Sequence, residues 1–176
     1  MTTVVVLAMH GMPPKDFPRQ EASEFFGLHA RLKSAGGADR TALESRYAVL
    51  DARMRSWPRT KENDPYHANS LELARQLSVQ TGCPVLVGFN EFCAPSLDEA
   101  LEEAVCAGDR VIALTPMMTR GGDHSERDIP EAIGRAKARH PTARIDYLWP
   151  FRVEEIARFL ALQLEPLLIQ TYASTA

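Results

Sequence analysis

The chain lacks any apolar run approaching the roughly 18 residues that a membrane helix needs, and it has no basic leader before its first apolar segment. Neither a signal peptide nor a spanning helix is therefore expected, and the expected location is the cytoplasm. Cysteine is scarce. Cys83, Cys93 and Cys106 are odd in number, and their spacings of ten and thirteen fit neither a zinc knuckle nor a redox pair. Reduced thiols in or near the core are the expectation, in keeping with a reducing compartment. The net charge is only -3, with Lys and Arg scattered rather than clustered, so nothing favours nucleic acid or an anionic membrane as partner. No GxxxxGK[ST] loop, no GxGxxG fingerprint and no GxSxG elbow occurs, which argues against nucleotide binding and a serine hydrolase. Cys93 has no mapped base and reads as a buried thiol rather than a nucleophile.

What is present suits one domain. The chain has 176 residues, 45% of them hydrophobic and 24% charged, enough to bury a core without disulfides. Thr3 to Met9 (TVVVLAM) reads as a strand buried on both faces. From Asn69 onward the pattern is regular. Helices are expected over 69–81, 96–107, 129–140 and 153–170, the last irregular near Pro166, and strands over 84–89, 110–115 and 143–148. Ser96 with Glu99 forms a capping box, and Gly108 is the stop. Strands alternating with helices imply a parallel sheet with right-handed crossovers. The expected fold class is therefore α/β, a small doubly wound and mainly four-stranded parallel sheet. The segment from about residue 12 to 65 is long for a crossover and reads as an insertion, a lid or a dimer arm, within a single domain spanning 1–176. Its helix, 38–57 with Asp39 as cap, carries Leu43, Tyr47, Leu50 and Met54 at helical spacing and is expected to cover a cleft or meet a second subunit.

Functional residues in such sheets gather at the carboxyl ends of the strands. The first strand ends at His10, the second at Asn90-Glu91, and the third leads through a Gly-containing loop to His124. Two imidazoles and a carboxylate brought to one sheet edge form a plausible ligand set for Fe(II), Co(II), Ni(II) or Zn(II). Neutral imidazole, the ligating form, is largely available near neutral pH. Met9, Met12, Met117 and Met118 fall near the same edge, and we read them as an apolar wall for a flat ligand rather than as soft ligands. Trp57 and Trp149 read as core or pocket aromatics. His29, His67 and His140 show no partner pattern.

The order of these stretches resembles a known family. His10-Gly11 follows the first strand, FNEFCAPSL (Phe89–Leu97) the second, and PMMTRGGDHSERDIP (Pro116–Pro130) the third. This is similar to the class II tetrapyrrole chelatases, the small sirohydrochlorin cobaltochelatases and ferrochelatases, whose most specific stretch carries GxH followed by DIP. The resemblance covers residues 1–11 and about 66–165. Met12 stands where the family has serine after His-Gly. The resemblance implies a chelatase-like, flavodoxin-like three-layer α/β/α fold. It also implies a lyase-type enzyme that inserts Co2+, Fe2+ or Ni2+, the metal being a substrate, into sirohydrochlorin or a related tetrapyrrole of cobalamin or siroheme biosynthesis, with no organic cofactor. His10 and His124 would bind the metal and help remove pyrrole protons, with Glu91 assisting. Met12, Met117, Met118, Arg120, Gly121 and Gly122 would line the substrate site. Arg120, Arg127 and Lys15 are the candidate partners for the substrate's carboxylates. Small members of the family work as homodimers, and neither nucleic acid nor a membrane is implied as partner. Two other readings stay open: a non-catalytic protein that binds and delivers metal or tetrapyrrole, and a flavodoxin-like interaction domain that uses neither histidine for metal.

Overall fold

Strand β1 (Thr3–Met9) runs through the middle of the molecule, buried from Val4 onward. Its period-2 geometry divides its side chains between two cores. Val4, Val6 and Ala8 face one cluster, with Leu101, Val111, Ile129 and Ile145, and Leu7 and Met9 face the other. The computed structural model describes residues 2–32 and 36–173. After β1 come α1 (Arg19–Leu32), α2 (Gly37–Arg55), α3 (Pro65–Thr81), β2 (Val85–Phe89), α4 (Leu97–Ala107) and β3 (Arg110–Leu114). A π-helical turn (His124–Asp128), α5 (Ile129–Arg139), β4 (Arg144–Leu148) and α6 (Val153–Ala173) complete the chain. The sheet order is β2-β1-β3-β4, and every pairing is parallel. The expected α/β class with four parallel strands is the fold observed.

Helices α4 and α5 cover one face of the sheet, docking through Leu97, Ala100, Leu101 and Ala104 and through Ile129, Ala132, Ile133 and Ala136. The opposite face is covered by α3 and by the inserted segment. Phe17, Phe25, Leu28, Leu50 and Met54 join Leu7, Met9, Val87 and Phe89 in one buried cluster, with Leu43 and Tyr47 packed against it. The stripe Leu43, Tyr47, Leu50 and Met54 is thus used inside this chain, against α1 and the cluster on this face of the sheet, with Tyr47 stacked on Phe25. Burying a Leu, Phe or Met side chain fully stabilises by roughly 1.5–3 kcal/mol, so this layer is part of what holds the fold.

Several boundaries differ from expectation for local reasons. Helix α3 begins at Pro65 rather than residue 69, because Asp64 accepts the backbone N–H of His67 and Pro65 occupies the first turn. Helix α2 begins after Gly36, so Asp39 lies inside it rather than capping it. The capping box of Ser96 and Glu99 is present and α4 stops at Gly108, in an extended conformation, whereas Gly82 closes α3 in the left-handed conformation. Cys93 is buried and Cys83 half-buried, whereas Cys106 is exposed near the end of α4 and is not a core thiol. Helix α6 runs on through Pro166. No helix among the described residues is long and apolar enough to cross a membrane.

Candidate metal centre

The β1–β2 ladder continues past the strand ends. Met9 is in register with Phe89, and the N–H groups of Asn90 and Glu91 then donate to the carbonyls of Met9 and His10, each at 2.8 Å. Glu91 is thereby held beside His10. The register needs Gly11, whose φ is +93°, because a Cβ there would lie 1.9 Å from the Glu91 carbonyl oxygen. Only glycine adopts that conformation without strain and leaves room for the neighbouring backbone. On the other side of β1, the loop after β3 ends in the π-helical turn that begins at His124. Such turns recur at functional sites, where they re-aim a side chain.

The three sequence-predicted donors come together. One potential ligand atom from each of His10, Glu91 and His124 lies within 4.8 Å of the other two, and all three residues are half-buried. Among the described residues this is the group that metal-ligand spacing picks out. The two imidazole rings are 4.3 Å apart, centroid to centroid, and inclined by 43°. Phe92 packs edge-on against His10 at 5.9 Å. Nδ1 of His10 is buried and has no hydrogen-bond partner, which leaves a buried lone pair or N–H to be satisfied by something outside the chain. The His10 backbone N–H donates to the Tyr66 hydroxyl at 3.3 Å. Burial, and then the neighbouring His124 ring, hold the His10 pKa below its ordinary value, against the opposing pull of Glu91 and Asp128. His10 is therefore kept in the neutral, ligating form.

Asp128, one helical turn beyond His124, brings a carboxylate oxygen to 2.7 Å from His124 Nδ1. The contact has ion-pair distance but not the alignment of a hydrogen bond, and His124 Nδ1 counts as unpartnered. A carboxylate behind a ligating imidazole helps to orient the ring. The spacing of Asp128, four residues from His124, is the sequence signal for this contact. Arg127 pairs with Asp123 at 3.2 Å and with Asp128 at 3.0 Å, and borders the same polar cavity as Glu91.

The expected lining residues divide by exposure. Met12, Met117 and Met118 are exposed apolar side chains, and Gly122 is overlain by the end of Met117, whose Cε would lie 2.9 Å from an added Cβ. Met118 and Pro116 also line an open apolar groove of about 710 Å3 with Leu148, Phe151 and Phe159. Arg120 is exposed and lies 3.8 Å from Glu126. Glu91 borders a separate polar cavity of about 420 Å3 that it shares with Arg55, Asp128 and Glu131. Trp149 and Trp57 are half-buried, and the Trp57 Nε1–H donates to Asp16 at 3.0 Å. His67 and His140 have structural partners, a stack on Phe89 at 5.2 Å and Glu102 at 2.6 Å respectively.

Nothing in the sequence pattern flagged Arg55, Arg59 or Asp64. Arg59 and Asp64 form a buried pair at 2.5 Å, and the Cys93 thiol lies 3.6 Å from the Asp64 carboxylate. Burial pushes the Cys93 thiol above its ordinary pKa, which leaves it a poor nucleophile. Arg59 and Asp64 are only five residues apart, but the contact with Cys93 joins positions far apart in the chain, and no local spacing announces it.

Comparison with known proteins agrees with the motif reading. The sequence model of the family described as CbiX matches residues 62–160. A sirohydrochlorin ferrochelatase of Bacillus subtilis is 33% identical over 69 residues, covering 39% of this chain and 26% of that protein. A sirohydrochlorin cobaltochelatase of Methanopyrus kandleri is 40% identical over 50 residues, covering 28% of this chain and 35% of that one. The chain thus spans well under half the length of these two relatives. A crystal structure of the sirohydrochlorin chelatase SirB from Bacillus subtilis subspecies spizizenii with cobalt superposes with a TM-score of 0.44 at 19% identity. It covers 85% of this chain and 44% of that chain.

Proposed function

This chain belongs to the CbiX family, the class II tetrapyrrole chelatases, and from that premise we propose that it inserts a divalent metal into sirohydrochlorin or a related tetrapyrrole. The observation that carries the reading is the convergence of His10, Glu91 and His124 within 4.8 Å at the carboxyl edge of the sheet. Insertion exchanges two pyrrole N–H protons for one M2+ ion, with no change in oxidation state. It needs a partly dehydrated ion held to one face of the ring, a base for two protons, and walls that bend the macrocycle so that its nitrogen lone pairs meet the metal. His10 and His124 hold the incoming ion, Co2+, Fe2+ or Ni2+, and accept the pyrrole protons as the metal leaves them for the ring. Glu91 passes those protons on through the polar cavity it borders.

The macrocycle lies against Met12, Met117 and Met118, whose exposed apolar surface suits a flat ring, with Gly121 giving close backbone approach, Gly122 seating the end of Met117 in that wall, and Arg120 meeting a peripheral carboxylate. The single domain carries its 12–65 segment as an integral layer, and the working unit is a homodimer in the cytoplasm. The exposed apolar side chains of α6 support a second copy as partner.

The test is an absorbance assay of purified protein with sirohydrochlorin and Co(II), Ni(II) or Fe(II), against metal alone. Acceleration of insertion supports the enzyme. Stoichiometric binding of metal or tetrapyrrole without turnover would replace it with a binding and delivery protein. The methionine at position 12, in place of the family's serine, is the feature that favours that second reading.

A further inference from the structure

Two arginines from the inserted segment grip the backbone around the metal-bearing loops. Arg55 donates through Nη1 to the Cys93 carbonyl at 3.0 Å and through Nη2 to the Asn90 carbonyl at 3.1 Å, while its Nε donates to Asp51 at 2.7 Å. Arg59 donates to the carbonyls of Met12 at 2.7 Å and Met54 at 2.8 Å, and to that of Phe92. The Asn90, Phe92 and Cys93 carbonyls bracket Glu91, and Met12 lies two residues beyond His10. One donor loop is thus held at three carbonyls and the other at one.

The turn that carries Glu91 needs this support. Phe92 sits at φ 61°, a conformation that L residues with bulky side chains rarely adopt. The carbonyls of Asn90, Phe92 and Cys93 take these arginine donors, and buried carbonyls left unpaired are rare and unfavourable. A guanidinium offers several donors in a fixed fork, so one side chain can bridge two carbonyls, which an ammonium on a flexible stem does poorly. Arg59 is itself fixed by Asp64, which also caps α3. The chain of contacts therefore runs from α2 and α3 into both loops.

We propose that Arg55 and Arg59 are positioning residues for the metal. Through them the inserted segment sets where Glu91 and His10 present their ligand atoms, and so how tightly the site holds a divalent ion. The inference rests on the chelatase reading of the three donors. A merely structural arginine would change thermal stability and leave the ligand geometry of the folded protein unaltered.

The test titrates the full-length chain with Co(II), following heat by calorimetry and the visible d–d band, in wild type, Arg55→Gln, Arg55→Lys and His124→Ala. Circular dichroism confirms that each is folded. Arg55→Gln is expected to weaken Co(II) by about 10- to 100-fold, the usual range for groups that orient ligands, and to change the d–d band. Arg55→Lys keeps the charge beside Asp51 but cannot span both carbonyls, and falls between. Wild-type affinity and an unchanged band in the folded variants would overturn the proposal. If Arg55→Gln does not fold, Arg55→Lys decides by the same criterion. Wild-type protein that takes up no Co(II), or uptake indifferent to His124→Ala, would instead overturn the metal-site reading and take the positioning role with it.

Discussion

The imidazoles of His10 and His124 stand 4.3 Å apart, one following β1 and the other reached from β3, on strands that are neighbours in the sheet. Two rings this close repel when both are protonated, and a shared divalent ion relieves that repulsion while using both as ligands. We predict that His10→Ala and His124→Ala each reduce metal insertion by on the order of 100-fold or more. Circular dichroism and thermal midpoint should change little, because both residues are half-buried at a loop. Insertion at the wild-type rate by either variant would remove that histidine from the chemistry.

Gly11→Ala tests the spacing between two of the donor loops. The residue holds φ at +93° and leaves no room for a Cβ beside the Glu91 carbonyl. The left-handed conformation alone costs an L residue about 1–2 kcal/mol, and the backbone contact adds to it. The variant is expected to melt several degrees lower and to bind Co(II) more weakly, because relieving the clash moves Glu91 away from His10. A melting temperature and affinity equal to wild type would contradict the close approach.

How much of this was legible depended on whether a feature is local. His10, Glu91 and His124 were readable because each closes an apolar run, and a parallel sheet brings strand ends to one edge. The capping box at Ser96 was readable from four residues. The start of α3 was also written locally, in Asp64 followed by Pro65, but the apolar periodicity begins later and drew the boundary to residue 69. The stripe of Leu43, Tyr47, Leu50 and Met54 announced an amphipathic helix without saying which surface it meets, and the surface is α1 together with the cluster on one face of this chain's own sheet. Arg55 and Arg59 were invisible because their carbonyl partners, Asn90, Phe92 and Cys93, come from a turn that only the folded chain brings near.

Asp128→Asn tests the carboxylate behind His124. The pair lies at 2.7 Å, and replacing the carboxylate with an amide removes its charge while keeping its shape. Co(II) affinity is expected to fall by about 10- to 100-fold, measured by calorimetry, with His124 retained as a ligand in the electronic spectrum. Unaltered affinity would make Asp128 a bystander that only joins the π-helical turn to α5.

Acid sensitivity has a source outside the metal centre. Burial holds the His67 pKa below its ordinary 6.5, so the unfolded chain takes up the proton first as pH falls. The stability that comes with the neutral ring is complete above about pH 6.5 and is lost on acidification toward the folded-state value. Denaturant titrations of metal-free protein should therefore show stability declining below that pH. His67→Phe, which keeps a ring to stack on Phe89, should reduce the decline. His10 shifts in the same direction, so a smaller slope remains. An identical slope in the variant would exclude His67 as a contributor.

Helix α6 carries Val153, Phe159, Leu160, Leu162 and Leu164 exposed, at 74%, 47%, 46%, 58% and 53% of their surface. Each such side chain gains roughly 1.5–3 kcal/mol when fully buried. Leu160 with Leu164 and Phe159 with Leu162 are neighbours on the helix surface, and we expect a second copy to cover these two pairs. Light scattering is expected to give a dimer for the wild type and a monomer for Phe159→Asp combined with Leu162→Asp, with the circular dichroism of the α/β body retained. A monomeric wild type, or a double variant that stays dimeric, would show that the two copies do not meet through this helix.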